Sequence, residues 1–308
     1  MSDKNFLLQV NDLCMNFDVG GRIVKASDHI TFSMKEGEVF GLVGESGSGK
    51  STIGKCIIGL NKKTSGEILF HGKPLGNGID PRIQMIFQDP MSSLNPKKKV
   101  GEIIGEALDV LKLCKSKEER QQKITRIMER VGIPPAYIDR YPGNFSGGQR
   151  QRIGIARALV AEPELIIADE CIAALDASVQ AQVVNMLGDI RQETGTAFLF
   201  ISHDLSMVRF LSDRIGVLHL GHLLEVGESE EIFADPVHPY TKSLLASIPR
   251  LNPVIQSENK NPYRYEESGI DYTIGAWQTV TDTHQVWCTD NEFEDWRAEE
   301  AKEGRAEE

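Results

Sequence analysis

The sequence predicts an α/β fold: a parallel sheet with helices on its faces, an antiparallel β subdomain, an inserted α-helical subdomain and a C-terminal extension. Three observations carry this expectation. The β-rich run Val39 to Val43 passes through a glycine-rich turn into a helical stretch, Thr52 to Leu60. The apolar run Leu165 to Ala168 lies between two helical patterns, Gln149 to Val160 and Ser178 to Gln192. A further strand pattern, Ala197 to Ile201, follows. Strands alternating with helices imply parallel pairing with both faces covered.

The elements follow in order. Residues 6–40 alternate apolar and polar positions in short runs, interrupted at Gly20-Gly21 and Glu36-Gly37, as antiparallel strands do. Gly66 to Phe70 and Ile83 to Phe87 read as further strands. From Val100 to Val131 the period changes: Ile103, Ile104, Ala107, Leu108 and Leu111 recur every three or four residues. Ile124, Ile127, Met128 and Val131 repeat the pattern until Pro134-Pro135 breaks it. This helical stretch, about residues 90–160, interrupts the alternation and is expected to be an inserted subdomain. Past Pro249 the texture changes. Trp277, Trp287 and Trp296 all lie there and argue that the segment packs on something, while the closing RAEEAKEGRAEE reads as a solvated or frayed helix.

Composition narrows the partners. The 308 residues suit one large domain with additions. Of the net charge of −11, most sits in residues 256–308, which hold 14 Asp/Glu against 5 Lys/Arg. The body is nearly neutral and has no basic stripe, so nucleic acid is not an expected partner. The five cysteines are scattered and form no CxxC, which suits reduced thiols rather than a disulfide frame or zinc site. The start, MSDKNFLLQV, lacks a charged segment followed by a long apolar run, so no signal peptide is expected. No run of 18 apolar residues occurs, so any membrane role is expected to come through a partner.

Two helix starts carry anion-binding chemistry. The first is GESGSGKST: Gly44, Glu45, Ser46, Gly47, Ser48, Gly49, Lys50, Ser51 and Thr52. It matches the phosphate-loop pattern in its required context of strand, glycine turn and helix. Gly47 and Gly49 let backbone N–H groups close on phosphate oxygens, Lys50 neutralises the β and γ phosphates, and Ser51 offers a hydroxyl to Mg2+. The second is Ser146, Gly147, Gly148 and Gln149, where Ser146 suits the N-cap and the glycines expose further donors. Asp169 and Glu170 end an apolar strand, an expensive place for two negative charges unless a cation sits there. Asp169 is placed to hold Mg2+ and Glu170 to polarise an attacking water. Gln88, after the strand Ile83 to Phe87, can reach the metal or the water. His203, after the strand Ala197 to Ile201, can hydrogen-bond the γ-phosphate, although most lone histidines at strand ends are structural. Phe17 can stack on adenine, with an ordinary core Phe as the default.

Together these motifs resemble the ATP-binding cassette (ABC) ATPase family over roughly residues 6–250: an aromatic A-loop position, Walker A, Q-loop, signature, Walker B, catalytic Glu, D-loop (Ala174-Leu175-Asp176) and switch His occur in that order. IQMIFQDPMSSLNP, YPGNFSGGQRQRIGIARAL and HPYTKSLLASIPRLNP are similar to the oligopeptide and dipeptide importers, with nickel importers close by. The chain departs from the pattern at Phe145 for the signature Leu, Cys171 for the Pro after the catalytic Glu, and Ala173 for a frequent Ser. None of these removes a phosphate or metal ligand. Some relatives carry a cysteine-rich C-terminal segment, but only Cys288 lies in this tail, so no iron–sulfur cluster is expected.

The resemblance implies a P-loop NTPase (RecA-like) core, a nucleotide-binding domain at residues 6–250 and an importer-type C-terminal extension with an acidic tail at residues 235–308. It implies ATP and Mg2+ as ligands and hydrolysis by Glu170 with Gln88 and His203. It further implies a head-to-tail dimer with a second, non-identical ATPase subunit, in which Ser146-Gly147-Gly148 of one chain caps ATP on the other and Asp176 links the two sites. Two transmembrane permease subunits would dock beside Gln88, served indirectly by an extracellular peptide-binding protein. The chain would then lie peripherally on the cytoplasmic face of the cell membrane. Powering uptake of oligopeptides is the implied role, with dipeptides, nickel or another small solute, and export instead of import, open as alternatives. A soluble ABC ATPase acting on ribosomes or DNA is opposed by the single P-loop, the lack of repeats and the acidic tail. A non-hydrolysing scaffold is opposed by the intact Glu170 and His203.

Overall fold

The computed structural model describes residues 6–76, 78–89, 93–173, 175–248 and 263–303. Pro90, Ala174, residues 249–253 of the C-terminal motif and the last five residues lie outside this set. Apolar side chains on both faces make the central strands. In β3 (Val39–Val43), Val39 and Val43 face one core and Phe40 and Leu42 the other. In β8 (Ala197–Ser202), Phe198 and Phe200 oppose Leu199 and Ile201 in the same way. Strands that bury both faces belong inside a covered parallel sheet.

With β6 (Ile83–Ile86), β7 (Leu165–Asp169) and β9 (Arg214–His219), these strands form the parallel order β6-β7-β8-β3-β9. Registers Val43↔Ser202 and Asp169↔Ile201 align their carboxyl ends. Gly44, Glu170 and His203 therefore leave the sheet along one edge, where ligands of open α/β sheets bind. The helix α1 (Lys50–Ile57) follows β3. It starts earlier than expected, directly after Gly49 at its N-cap, and stops earlier because the chain turns at Gly59 with φ 82°.

The N-terminal expectation holds, with longer strands. β1 (Phe6–Val19) and β2 (Arg22–Lys35) form a hairpin through Gly20 and Gly21, whose φ angles of 64° and 85° suit a two-residue turn. Ser65–Phe70 (β4) joins β1 and the short β5 (Lys73–Pro74), giving the antiparallel order β2-β1-β4-β5. The insertion contains α2 (Val100–Val110), α3 (Lys117–Arg130) and α4 (Gly147–Leu159). The continuous helical pattern of Val100 to Val131 is thus two helices, the second started by the Ser116 hydroxyl accepting from the Glu119 N–H at 3.1 Å. After β7 comes α5 (Ala177–Thr194), and α6 (Leu205–Leu211) follows β8.

Beyond β9, the strand β10 (His222–Glu228) reverses direction and leads into α7 (Ser229–Ala234) and α8 (Pro239–Ala246). A four-residue helix, α9 (Tyr265–Ser268), opens the tail. The tail then extends the main sheet: β12 (Gln285–Cys288) pairs with β10, and β11 (Ala276–Thr279) pairs with β12. The final helix, α10 (Asp290–Glu303), buries Trp296 against Val237, Val286 and Cys288. The tryptophan-bearing tail therefore packs on the main sheet and Val237. Trp277 and Trp287 meet edge to face at 5.8 Å. No helix among the described residues is long and apolar enough to cross a membrane.

Candidate active site

The glycine loop is shaped by close backbone approach. Gly44 has φ 151°, and a Cβ there would lie 1.9 Å from the Leu218 carbonyl oxygen. Gly49 has φ 106°, and a Cβ there would lie 2.1 Å from the Ala26 carbonyl oxygen. Only glycine fits between β2, β9 and the start of α1. The buried Lys50 ammonium donates to the Gly44 carbonyl at 2.7 Å, the Glu45 carbonyl at 2.8 Å and Ser48 Oγ at 3.3 Å. Burial pulls its pKa below the usual lysine range, opposed by the charges of Glu170, Asp169 and Glu45.

Across the loop, Ser51 Oγ donates to Asp169 Oδ1 at 2.6 Å. Asp169 is buried, and desolvation raises its pKa against the pull of that hydrogen bond. Glu170 takes a left-handed backbone, φ 43°, unusual for a residue with a side chain. Its N–H donates to the Ile201 carbonyl at 2.9 Å, which anchors the turn. Its carboxylate receives Gln88 Nε2 at 2.8 Å on one oxygen and lies 3.4 Å from His203 Nδ1 on the other. The three residues expected to act on water and γ-phosphate thus converge on one carboxylate. A hydroxyl, a carboxylate and an amide oxygen, from Ser51, Asp169 and Gln88, are hard donors that suit magnesium. The buried Asp169, raised by desolvation, is a group that a cation would relieve.

The signature helix start is a capping box: the Gln149 N–H donates to Ser146 Oγ at 3.3 Å, and the Ser146 N–H to Gln149 Oε1 at 3.0 Å. Gly147 has open space about its Cβ position, while a Cβ at Gly148 would meet Val179 at 2.8 Å. Both bonds of this box close within the helix start and not on the glycine loop. Phe145 is buried and meets Tyr137 edge to face at 5.9 Å, so the departure from Leu anchors the signature to the helical subdomain. Asp176 caps α5, accepting from Ser178 Oγ at 2.7 Å and the Val179 N–H at 3.1 Å. The Ser178 hydrogen bond leads in holding its carboxyl below the usual range. Cys171 faces the core, and burial pushes its thiol up to about 12, while Ala173 is exposed. The Ala173 N–H donates to the Glu170 carbonyl at 3.2 Å, a main-chain bond that any residue but proline at this position allows.

Phe17 is not a core residue. It is 37% exposed and pairs with Val24, two residues along β2 from Ala26, which abuts Gly49. One contact escaped sequence reasoning: the Glu45 N–H donates to the Tyr240 hydroxyl at 3.0 Å across 195 residues. Elsewhere, Cys14, Asp28 and His29 place ligand atoms within 4.8 Å of one another. Asp28 Oδ2 already pairs with Lys25 Nζ at 2.9 Å, and His29 Nδ1 lies 2.6 Å from Asp12 Oδ1, so both groups have other partners.

Known proteins share this arrangement. A model described as ABC transporter matches residues 27–173, and one described as oligopeptide/dipeptide transporter, C-terminal region, matches residues 224–269. The chain is 48% identical to the oligopeptide transport ATP-binding protein OppF of Streptococcus pyogenes serotype M1, over 97% of this chain and 100% of that one. The chain belongs to the ABC transporter family of ATP-binding subunits. The cassette is also 46% identical to the oligopeptide transport ATP-binding protein AmiF of Streptococcus pneumoniae, over 95% of this chain and 97% of that one. In structure it resembles the cassette MJ0796, solved as a dimer in a post-hydrolysis state with ADP and Pi, at TM-score 0.65 and 28% identity. That match covers 72% of this chain and 98% of MJ0796. As a member of this family the cassette is an ATP-hydrolysing subunit.

Proposed function

We propose that this chain is the ATPase subunit of a membrane importer that takes up oligopeptides. The convergence of Gln88 and His203 on the Glu170 carboxylate, beside the Ser51–Asp169 pair, carries the catalytic part of this reading. The C-terminal match at residues 224–269 and the relatives named for oligopeptide transport support the cargo class.

In this reading the backbone N–H groups of the glycine loop and the Lys50 ammonium bind the β and γ phosphates. Ser51, Asp169 and Gln88 would hold magnesium, which would supply neutralising charge to the phosphates. Glu170 accepts a proton from the water that attacks the γ-phosphorus as its bond to the β–γ bridging oxygen breaks and ADP leaves; Gln88 orients that water, and His203 donates to a γ-oxygen. Phe17 offers its exposed ring to the adenine. Ser146, Gly147 and Gly148 close over the nucleotide of a second, non-identical ATPase subunit, head to tail, and Asp176 lies at that contact. MJ0796 supports the dimeric assembly. Two permease subunits hold the pair on the cytoplasmic face of the membrane, with an extracellular peptide-binding protein delivering cargo.

The test is phosphate release and peptide uptake by the assembled transporter in vesicles. Glu170→Gln is expected to keep ATP binding and lose turnover by at least ~10²-fold. Wild-type turnover in that variant removes Glu170 from the mechanism. ATP-driven uptake of nickel with no uptake of peptides overturns the cargo.

A further inference from the structure

The Gly44–Glu45 peptide unit is gripped from both ends. Its carbonyl, on Gly44, accepts from the Lys50 ammonium at 2.7 Å. Its N–H, on Glu45, donates to the Tyr240 hydroxyl at 3.0 Å. A planar peptide cannot turn one of these groups without turning the other. The hydroxyl thus fixes the orientation of the carbonyl that holds Lys50.

Tyr240 is itself held by the C-terminal part of the chain. Its ring is buried and stacked on His219 at 4.0 Å. His219 Nδ1 lies 2.8 Å from the Tyr272 hydroxyl, which lies 3.0 Å from that of Tyr263. The Tyr240 N–H donates to His238 Nδ1 at 3.0 Å, and Pro239 occupies the first turn of α8, where its missing N–H costs nothing. The Val237 and His238 N–H groups donate to the buried Glu225 carboxylate at 2.8 and 3.1 Å. His284 Nε2, from the tail, lies 2.7 Å from the same carboxylate. The run His238-Pro239-Tyr240 therefore connects the tail to the lysine of the phosphate loop.

We propose that Tyr240 is a positioning residue for ATP binding: its hydroxyl, anchored by the C-terminal extension, presets the peptide unit that carries Lys50. This rests on the nucleotide reading of the loop given above. Tyr240→Phe keeps the stacked ring and removes only the acceptor. In the assembled transporter we expect Y240F to weaken ATP binding roughly 3- to 10-fold, the worth of one hydrogen bond. The rate at saturating ATP should stay within about twofold, because Glu170, Gln88 and His203 are untouched. Glu45→Pro deletes the same hydrogen bond from its donor end. Adding Y240F to E45P should therefore weaken ATP binding no further.

Two results overturn the proposal: an ATP titration of Y240F that overlays wild type, or Y240F and E45P losses that multiply. A purely structural role is also distinguished, since it lowers the melting midpoint or the active fraction while leaving KM for ATP in place. A wild-type transporter that binds no ATP sinks the function reading itself. A wild type that binds and hydrolyses ATP, with an unaffected Y240F, sinks this proposal alone.

Discussion

Lys50 illustrates how one residue is prepared for its ligand. Its ammonium is buried, desolvated and satisfied by two carbonyls and a hydroxyl of its own loop. Those hydrogen-bond partners are neutral, and the carboxylates of Glu170, Asp169 and Glu45 act on it through space, so an incoming polyphosphate supplies a direct counter-charge. Lys50→Ala is expected to abolish measurable ATP affinity in a nucleotide titration while the fold persists, and an unchanged titration would count against the site. Glu170 shows the complementary case. A left-handed backbone at a residue with a side chain costs on the order of 1–3 kcal/mol. Here it lets Asp169 face Ser51 while Glu170 faces Gln88 and His203. Such residues were legible in the sequence because their types and spacing state their chemistry. Tyr240 was not, since nothing local to it points at Glu45.

At the scale of elements, the loop between β3 and α1 depends on glycine at fixed points. Gly49→Ala places a methyl group 2.1 Å from the Ala26 carbonyl oxygen at a φ of 106°. A loss on the order of 1–3 kcal/mol is expected, read as a lower melting midpoint together with a weakened ATP titration. An alanine variant that melts and titrates as wild type would show that the loop relaxes freely. The same glycines made β3 and α1 easy to place from sequence. The apolar runs of β7 and β8 and the helical periods of α2 to α5 were legible for the same kind of reason. β11 and β12 were not: each has four residues, and β12 is placed by pairing with β10 and β11 by pairing with β12 rather than by local pattern. The split between α2 and α3 also passed unseen, because apolar spacing continued across a capped turn.

At the scale of the molecule, the tail and the catalytic body share a buried aromatic cluster with two neutral histidines. Burial lowers the pKa of His219 to about 4, opposed by Glu266, and that of His238 to about 3, with His219 and Lys242 adding to the shift. Unfolded histidines near 6.5 take up protons that the folded ones refuse, so stability is full above that value. It falls as pH drops from about 6.5 towards 4 for His219 and towards 3 for His238. At pH 5 the loss is roughly 2 kcal/mol for each histidine. Melting curves between pH 7 and 5 should show the decline, and a flat midpoint would mean that both rings already accept protons in the folded chain.

The β11–β12 hairpin has a practical corollary for anyone shortening this chain. Trimming it away would bare the main-chain donors and acceptors of β10, a ready template for another molecule's strand. A truncated cassette is therefore prone to clump, and intolerance of C-terminal trimming would reflect lost colloidal stability together with the lost His284 contact on Glu225.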